Sequence, residues 1–477
     1  MRPSARLLHL ACAMTLLAGT CQAHGEAWPA NLDASLTRAG IPRSATSLLV
    51  RDLDGSAALV SHRTGEAMNP ASVMKLVTAY VALDQLGPSF TWKTRIAASG
   101  DIRTETLNGN LFIVGSGDPR LSRERLWLLL RDLRNRGIRH IDGDVITDRN
   151  LFRLPPHDPA AFDQRPLRPY NVGADTLTVD YGAIQLRVTP MTTGATVGTD
   201  PLPAGLLLNN RIRRNGNGNS NCTDPLTHLT ATATDTIAGT LLTLDGSLPP
   251  SCSEVFDWNL APIPPRQLFE GMFRTLWQEL GGEISGRFRD GRTPPDARPL
   301  AESVSPSLPE VLRDMNKWSN NVIARHVLAT LGASAEPDQD APAAGARRVQ
   351  RTLAASGVTT DGLVVENGAG LSRTERITAN TLGQVLVAAW RSPTMPELLS
   401  SLPIAGRDGT ARRRVANSPA AGYAHVKTGT LDGVRSMAGY VLARNGHRYA
   451  VVLMINHPNA GAARDAQDAL LEWVAGL

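Results

Sequence analysis

Lysine is scarce in this chain. Only four of its 49 basic residues are lysine, namely Lys75, Lys93, Lys317 and Lys427. Arginine serves almost everywhere else, so the question is what a lysine does that an arginine does not. Arginine stays protonated at any accessible pH, whereas a buried lysine can lose its proton and act as a base. Other scarcities exclude whole classes of protein. Aromatic residues make up 5% of the chain and the formal net charge is +5. No basic stripe with interleaved aromatics occurs, which argues against a nucleic-acid partner. The ten histidines show neither H-x-H nor H-E-x-x-H spacing, so neither a metal nor another cofactor is expected. Beyond the first 23 residues no stretch stays apolar for 18 residues, so membrane association is expected to be peripheral at most.

Cysteine is rare too, with four residues, and their placement is informative. Arg2 and Arg6 precede the apolar run "LLHLACAMTLLAG", and Cys21-Gln22-Ala23 forms a small-x-small pattern before His24. This reads as a secretory signal peptide over residues 1–23, and hence as a periplasmic protein. A lipid anchor on Cys21 is the lesser reading, because Leu17 lies one position too far away. Cys12 and Cys21 would leave with the leader. The remaining pair, Cys222 and Cys252, would sit in an oxidising compartment and is expected to form one disulfide, two free thiols being the alternative.

The chain has 477 residues, enough for two or three domains. "SATSLLVRDLDGSAALVSHRTG" reads as two strands around an Asp54-Gly55 turn. "NPASVMKLVTAYVAL" reads as a buried helix capped by Asn69, with Pro70 as its first residue, ending before Gly87-Pro88. At the other end, "YAHVKTGT", "VRSMAGYVLA" and "HRYAVVLMIN" read as strands, and "DAQDALLEWVAGL" as a closing helix. Both chain ends together predict one five-stranded antiparallel sheet flanked by helices, an α+β fold. The expected division is a catalytic domain from 24–93 and 262–477, an inserted α/β domain from 94–174 and 249–261, and an inserted mostly-β domain from 175–248. "NGNGNSN" at 215–221 and "AEPDQDAPAAGA" at 335–346 read as surface loops.

Three short signals carry the chemistry: Ser72-Val73-Met74-Lys75, Ser319-Asn320-Asn321, and Lys427-Thr428-Gly429-Thr430. Singly they are weak; for one lysine, a following Thr-Gly arises by chance roughly 1% of the time. Together, in this order and on these elements, they are specific. A serine hydroxyl is a poor nucleophile until a base takes its proton, and one helical turn brings the Lys75 amine beside Ser72. Burial would free that amine of its proton. Ser319 and Asn321 can relay a proton and hold a substrate amide, and a strand carrying Lys427 can bind a peptide backbone beside a positive charge. The bland alternatives are a snorkelling Lys75, helix caps at Ser319 and Asn321, and an edge-of-core His425.

The trio resembles the penicillin-recognising serine enzymes. Within them the chain is similar to the D-alanyl-D-alanine carboxypeptidase/endopeptidase family typified by penicillin-binding protein 4. "VGSGDPRLS" (114–122), "ENGAGLSR" (366–373) and "LPIAGRDGTARRR" (402–414) look like that family's secondary motifs. The resemblance implies a transpeptidase/β-lactamase-like core, with Ser72 as acylated nucleophile, Lys75 as base, Ser319 as proton relay and Asn321 on the substrate amide. It implies Lys427 as electrostatic support, Thr428 and Thr430 near the terminal carboxylate on either side of Gly429, and an oxyanion hole from the amides of Ser72 and Thr430. Arg373 fits a position that meets the stem-peptide diamino acid; Asp163 is a candidate for the same site, although "AFDQRP" lacks the tryptophans usual there. "ENG" in place of the commoner "DGS" puts Asn367–Ala369 at that pocket's rim. The partners so implied are peptidoglycan stem peptides, with β-lactams as covalent inhibitors, and a homodimer is compatible with it. The expected activity is a serine DD-peptidase. A β-lactamase-like hydrolase or a β-lactam-binding protein with little peptidase activity is the alternative, the former weakened by the absence of an E-x-x-L-N stretch.

Overall fold

The computed structural model describes residues 28–55, 57–215 and 222–477. The expected leader, and the polar tract from 216 on, lie outside the described residues. The central sheet joins the two chain ends. Strands β1 (Thr46–Asp52), β2 (Ala58–His62), β3 (Ala424–Leu431), β4 (Val434–Leu442) and β5 (Arg448–Asn456) lie in the order β2-β1-β5-β4-β3, every pairing antiparallel. Gly433 and Gly446 have φ of 74° and 84°, the left-handed conformation that the tight turns on either side of β4 need.

Strand β5 shows why this sheet is the middle layer. Ala450, Val452 and Met454 pack into one core, and Val451, Leu453 and Ile455 into another. Side chains alternate across a strand, so a continuous apolar run buries both faces. On one face lie helix α1 (Met74–Leu86) and helix α2 (Leu308–Lys317), with α3 (Asn321–Ala335), α4 (Ala341–Ala355) and α5 (Ala379–Arg391). The other face is covered by the helix Ala30–Arg38 and the closing helix Arg464–Ala475.

Two local expectations are corrected. The regular helix starts at Met74 rather than at Pro70, because Ala71 has φ of 46° and residues 71–73 form a single 3-10 turn. Asn69 still serves the turn, its Oδ1 accepting the Ala71 amide at 2.9 Å. The stretch 335–346 is not all loop: Asp340 caps α4 by accepting the Ala343 amide, with Pro342 in its first turn.

The residues between the sheet's two contributions build a second core. Strands Lys93–Ala98, Leu111–Val114 and Val145–Asp148 share a sheet with Phe288–Asp290 and Arg298–Val304. Helix Pro265–Glu279 buries Phe269, Met272, Phe273 and Trp277 in the same cluster as Ile113 and Leu130. The expected return to the catalytic part at 262 is thus placed too early. Residues 265–304 pack with the insertion because Arg298–Val304 pairs antiparallel with Lys93–Ala98, and the catalytic core resumes at Leu308. The mostly-β stretch adds Leu186, Leu206, Leu242 and Leu244 to that second core, and Cys222–Cys252 is closed as the expected disulfide. "VGSGDPRLS" fastens the two parts together. Asp118 accepts from Arg125 at 2.6 Å, and Arg120 pairs with Asp314 on α2. Among the described residues no helix is long and apolar enough to cross a membrane.

Candidate active site

Ser72 sits in the 3-10 turn where the β1–β2 hairpin gives way to α1. The turn is pressed against β3. A side chain at Gly429 would put its Cβ 2.7 Å from the Pro70 carbonyl and 2.2 Å from Ser436 Oγ, which itself donates to Pro70 O. Gly370 likewise leaves no room, its Cβ position being 1.8 Å from Ala71 O. Glycine at both places lets two backbones close on the turn carrying the nucleophile. Ala71 holds its strained φ because this packing over-determines it.

Lys75 is wholly enclosed, with 0% exposure. Its Nζ meets Ser72 Oγ at 3.1 Å, Asn321 Oδ1 at 2.7 Å and Ala369 O at 2.5 Å. The Asn321 amide is oriented by its Nδ2, which donates to Tyr170 O at 3.2 Å. Two of the three contacts, Asn321 Oδ1 and Ala369 O, can only accept. A neutral amine spends its two N–H bonds on those, and its lone pair is left facing the one partner that has a proton to give, Ser72. Burial, followed by the charge of Lys427, drives the Lys75 ammonium well below the ordinary lysine range, which favours the free amine. This arrangement can take the proton from Ser72.

The second and third motifs meet across the cleft. Ser319, between α2 and α3, has φ of 58°, and its Oγ accepts from Lys427 Nζ at 2.9 Å. The helix cap is supplied by Asn320, whose side chain accepts the Ile323 amide, so Ser319 and Asn321 are free of that duty. Lys427 is also fully buried, and burial pulls its pKa down to about 7. The other two lysines do ordinary work, Lys93 pairing with Glu302 and Lys317 with Asp408. A cleft of about 530 Å³ opens beside Ser72, lined also by Ser319, Thr410, Thr428 and Thr430. Thr428 Oγ1 donates to Thr410 Oγ1 at 3.3 Å, and Arg435 donates to Thr430 Oγ1 at 2.9 Å.

Arg373 and Asp163 part company. Arg373 stacks its guanidinium 4.7 Å over the Phe162 ring and lines a separate cleft of about 520 Å³ with Arg325 and Asn367. Asp163 does not line that cleft. Its carboxylate takes Tyr170 Oη, Asn171 Nδ2 and the Arg165 amide, and burial, which would raise its pKa, is outweighed by these bonds. It braces the loop that presents Tyr170 to Asn321. His425 is half-buried at the sheet edge, bridged to Ile404, as its bland reading has it.

Several members of the site are not evident from the motifs. Ala369 holds Lys75 through its carbonyl, and that carbonyl is placed by Glu375. This buried carboxylate accepts the amides of Glu366, Asn367 and Gly368 at 3.0, 2.9 and 3.0 Å. "ENGAGLSR" is therefore a support for the base as well as a pocket rim. A backbone carbonyl leaves no trace in a sequence, but the unusual acid two residues after Arg373 is a readable signal.

Sheet, trio and buried amines together define a serine acyl-transfer enzyme that works without histidine or aspartate. The comparisons with known proteins make this specific. Residues 29–477 match the D-Ala-D-Ala carboxypeptidase 3 (S13) family, and the chain belongs to it. A D-alanyl-D-alanine carboxypeptidase of Actinomadura sp. (strain R39) is 31% identical over 92% of this chain and 83% of the relative. The carboxypeptidase DacB of Haemophilus influenzae is 24% identical over 91% of this chain and 90% of the relative. The crystal structure of penicillin-binding protein 4 from the same organism superposes with a TM-score of 0.75 at 22% identity, covering 93% of this chain and 99% of that one. The chain is thus a serine-type D-Ala-D-Ala carboxypeptidase by family.

Proposed function

We propose that the trio performs the family's acyl transfer on peptidoglycan stem peptides with the following division of labour. Lys75 takes the proton of Ser72, and Ser72 Oγ bonds to the carbonyl carbon of the penultimate D-alanine. The C–N bond breaks, and the proton that Lys75 took is passed through Ser319, hydrogen-bonded to Lys427, to the departing amine. Water then cleaves the ester, returning Ser72 and releasing a carboxylate. Thr428 and Thr430 receive the terminal carboxylate, the amides of Ser72 and Thr430 receive the oxyanion, and Arg373 receives the diamino acid of the acylating strand. The observation that carries this reading is the Lys75 environment, in which Ser72 is the one contact able to donate.

The same machinery should be acylated by β-lactams, since a strained cyclic amide presents the same carbonyl beside the same carboxylate. A relative of this fold has been crystallised with a bound β-lactam. A dedicated β-lactamase needs a base for its deacylating water, and among the described residues no carboxylate lines the cleft beside Ser72. That favours the peptidase. We further infer export to the periplasm through the leader at 1–23, a reading supported by Arg2, Arg6 and the small-x-small site and in keeping with a disulfide. Intact-mass analysis after penicillin treatment, with peptide mapping, should place one adduct on Ser72. An adduct on another residue, or none, refutes the assignment.

A further inference from the structure

The cleft beside Ser72 carries a wall that the acyl-transfer chemistry does not call for. Arg412, Arg413, Arg414, Arg435 and Arg464 all line it, and among the described residues no acidic one does. Of the five, Arg414 alone has a carboxylate partner among the described residues, Asp468 at 3.0 Å, and Asp465 is near enough to act on it as well. Arg435 uses three of its five N–H bonds, on Thr430 Oγ1 and on the carbonyls of Ala460 and Gly461, and Arg464 donates to the Arg413 carbonyl. Arg412 and Arg413 are exposed. Burial, and then the charges of Arg414 and Arg464, hold the Arg435 guanidinium below its ordinary value.

The chemistry of the cleft tells which part of a substrate meets this wall. The departing amine takes its proton on the Ser319 side of Ser72, and Ser319 and Thr428 line the arginine cleft. The cleft with Arg373 holds neither Ser72 nor Ser319, and lies toward Asn321's neighbour Arg325. The arginines therefore face the leaving group. A departing D-alanine brings one carboxylate, for which Thr428, Thr430 and a single arginine suffice. A volume of about 530 Å³ would hold a ligand of several residues. Arginine also binds carboxylates in bidentate fashion, so several arginines ask for several carboxylates.

We infer that this wall is a subsite for a leaving group bearing more than one carboxylate, namely the acceptor stem peptide of a crosslink. This inference rests on the peptidase reading. It makes the enzyme's better substrate the D-Ala–diamino acid crosslink, with endopeptidase action favoured over trimming of a terminal D-alanine. Arg435, tied to Thr430, takes the carboxylate next to the departing amine. Arg412 and Arg413 take those further along.

The test uses the mature protein and the Arg412→Gln/Arg413→Gln double variant, both residues being exposed. Each is given a crosslinked muropeptide dimer, the same dimer with the acceptor carboxylates amidated, and an uncrosslinked pentapeptide. At about tenfold per 1.4 kcal/mol, losing one charge-assisted contact should lower kcat/KM on the free dimer at least tenfold more than on the pentapeptide. The parent should prefer the free dimer to the amidated one, and that preference should weaken with added salt. If the variant loses the two activities in equal proportion or keeps both, or if amidation leaves the parent indifferent, the subsite is refuted while the peptidase stands. A parent that neither binds penicillin nor cleaves any of the three overturns the peptidase reading and this inference with it.

Discussion

The two cores of this molecule handle charge in opposite ways. In the inserted region positive charge meets carboxylate, at the surface in Arg95–Glu302, Arg187–Asp257 and Arg289–Asp144 and less exposed in Arg125–Asp118 and Arg149–Asp175. Exposed pairs of this kind contribute little, about 0–1 kcal/mol each, and the region is stapled by a disulfide instead. In the catalytic core two lysines are buried to 0% exposure with neutral partners, Ser72, Asn321 and Ala369 for one, Ser319 and the Thr428 carbonyl for the other. Among the described residues no carboxylate is hydrogen-bonded to either amine. The difference teaches that burial here pulls two amines toward their neutral form, at a cost in stability to the fold.

The sharpest way to break the comparison is to restore a permanent charge in the catalytic core. Lys75→Arg keeps the charge and removes the base, so penicillin acylation should fall by about 10²–10⁴-fold. The enclosed site makes arginine's bulk an added cost. Stopped-flow acylation at the parent's rate would show that proton transfer by Lys75 is not required.

The converse change belongs to the insertion. Removing the staple in a Cys222→Ser/Cys252→Ser variant opens a loop spanning a sequence separation of 30 residues. The chain-entropy model gives a loss of about 3–4 kcal/mol in stability. Denaturant unfolding should register it, while acylation of Ser72 continues, since all three motifs lie outside the loop. Acylation that collapses in still-folded protein would mean that the two cores are coupled after all.

The smallest effect, and the most diagnostic, is a slope. Lys427 has a folded pKa of about 7, below the ordinary lysine value of 10.5. Between those values the unfolded chain holds a proton there that the native state does not, so stability should rise with pH across that window. One such group contributes about 1.4 kcal/mol per pH unit. Lys427→Met should lower that slope between pH 7 and 10, and lower acylation too, because Ser319 loses its partner. Parallel stability curves for parent and variant would show that the amine is not depressed.

The sequence and the structure agree most where chemistry sets the spacing. Ser72 and Lys75, three apart, meet at 3.1 Å, and Ser319, Asn321 and Lys427 converge on them as their motifs imply. The five strands were legible because Asp-Gly and Asn-Gly turns bracket apolar runs. What escaped the sequence depends on distant backbone. No local rule places Ala71 at φ of 46°, a conformation imposed by Gly370 and Gly429 closing on it from elsewhere in the chain. Nothing in "RPLAESV" announces that it pairs with Lys93–Ala98, so the insertion's end was set too early. Asp163 lies outside the cleft that holds Arg373, its carboxylate bound to Tyr170 and Asn171.

The order of the central sheet also dictates when this protein can act at all. Strand β1 leads to the nucleophile, yet its partner β5 ends at Asn456 and the lysine bound to Ser319 lies at 427, both far downstream of Ser72 in the chain. A ribosome that has completed Ser72 has made a serine with no activated neighbour. Contacts this far apart in sequence form late and slowly. The growing chain is therefore chemically silent by construction, and any product cut short before β5 should remain so.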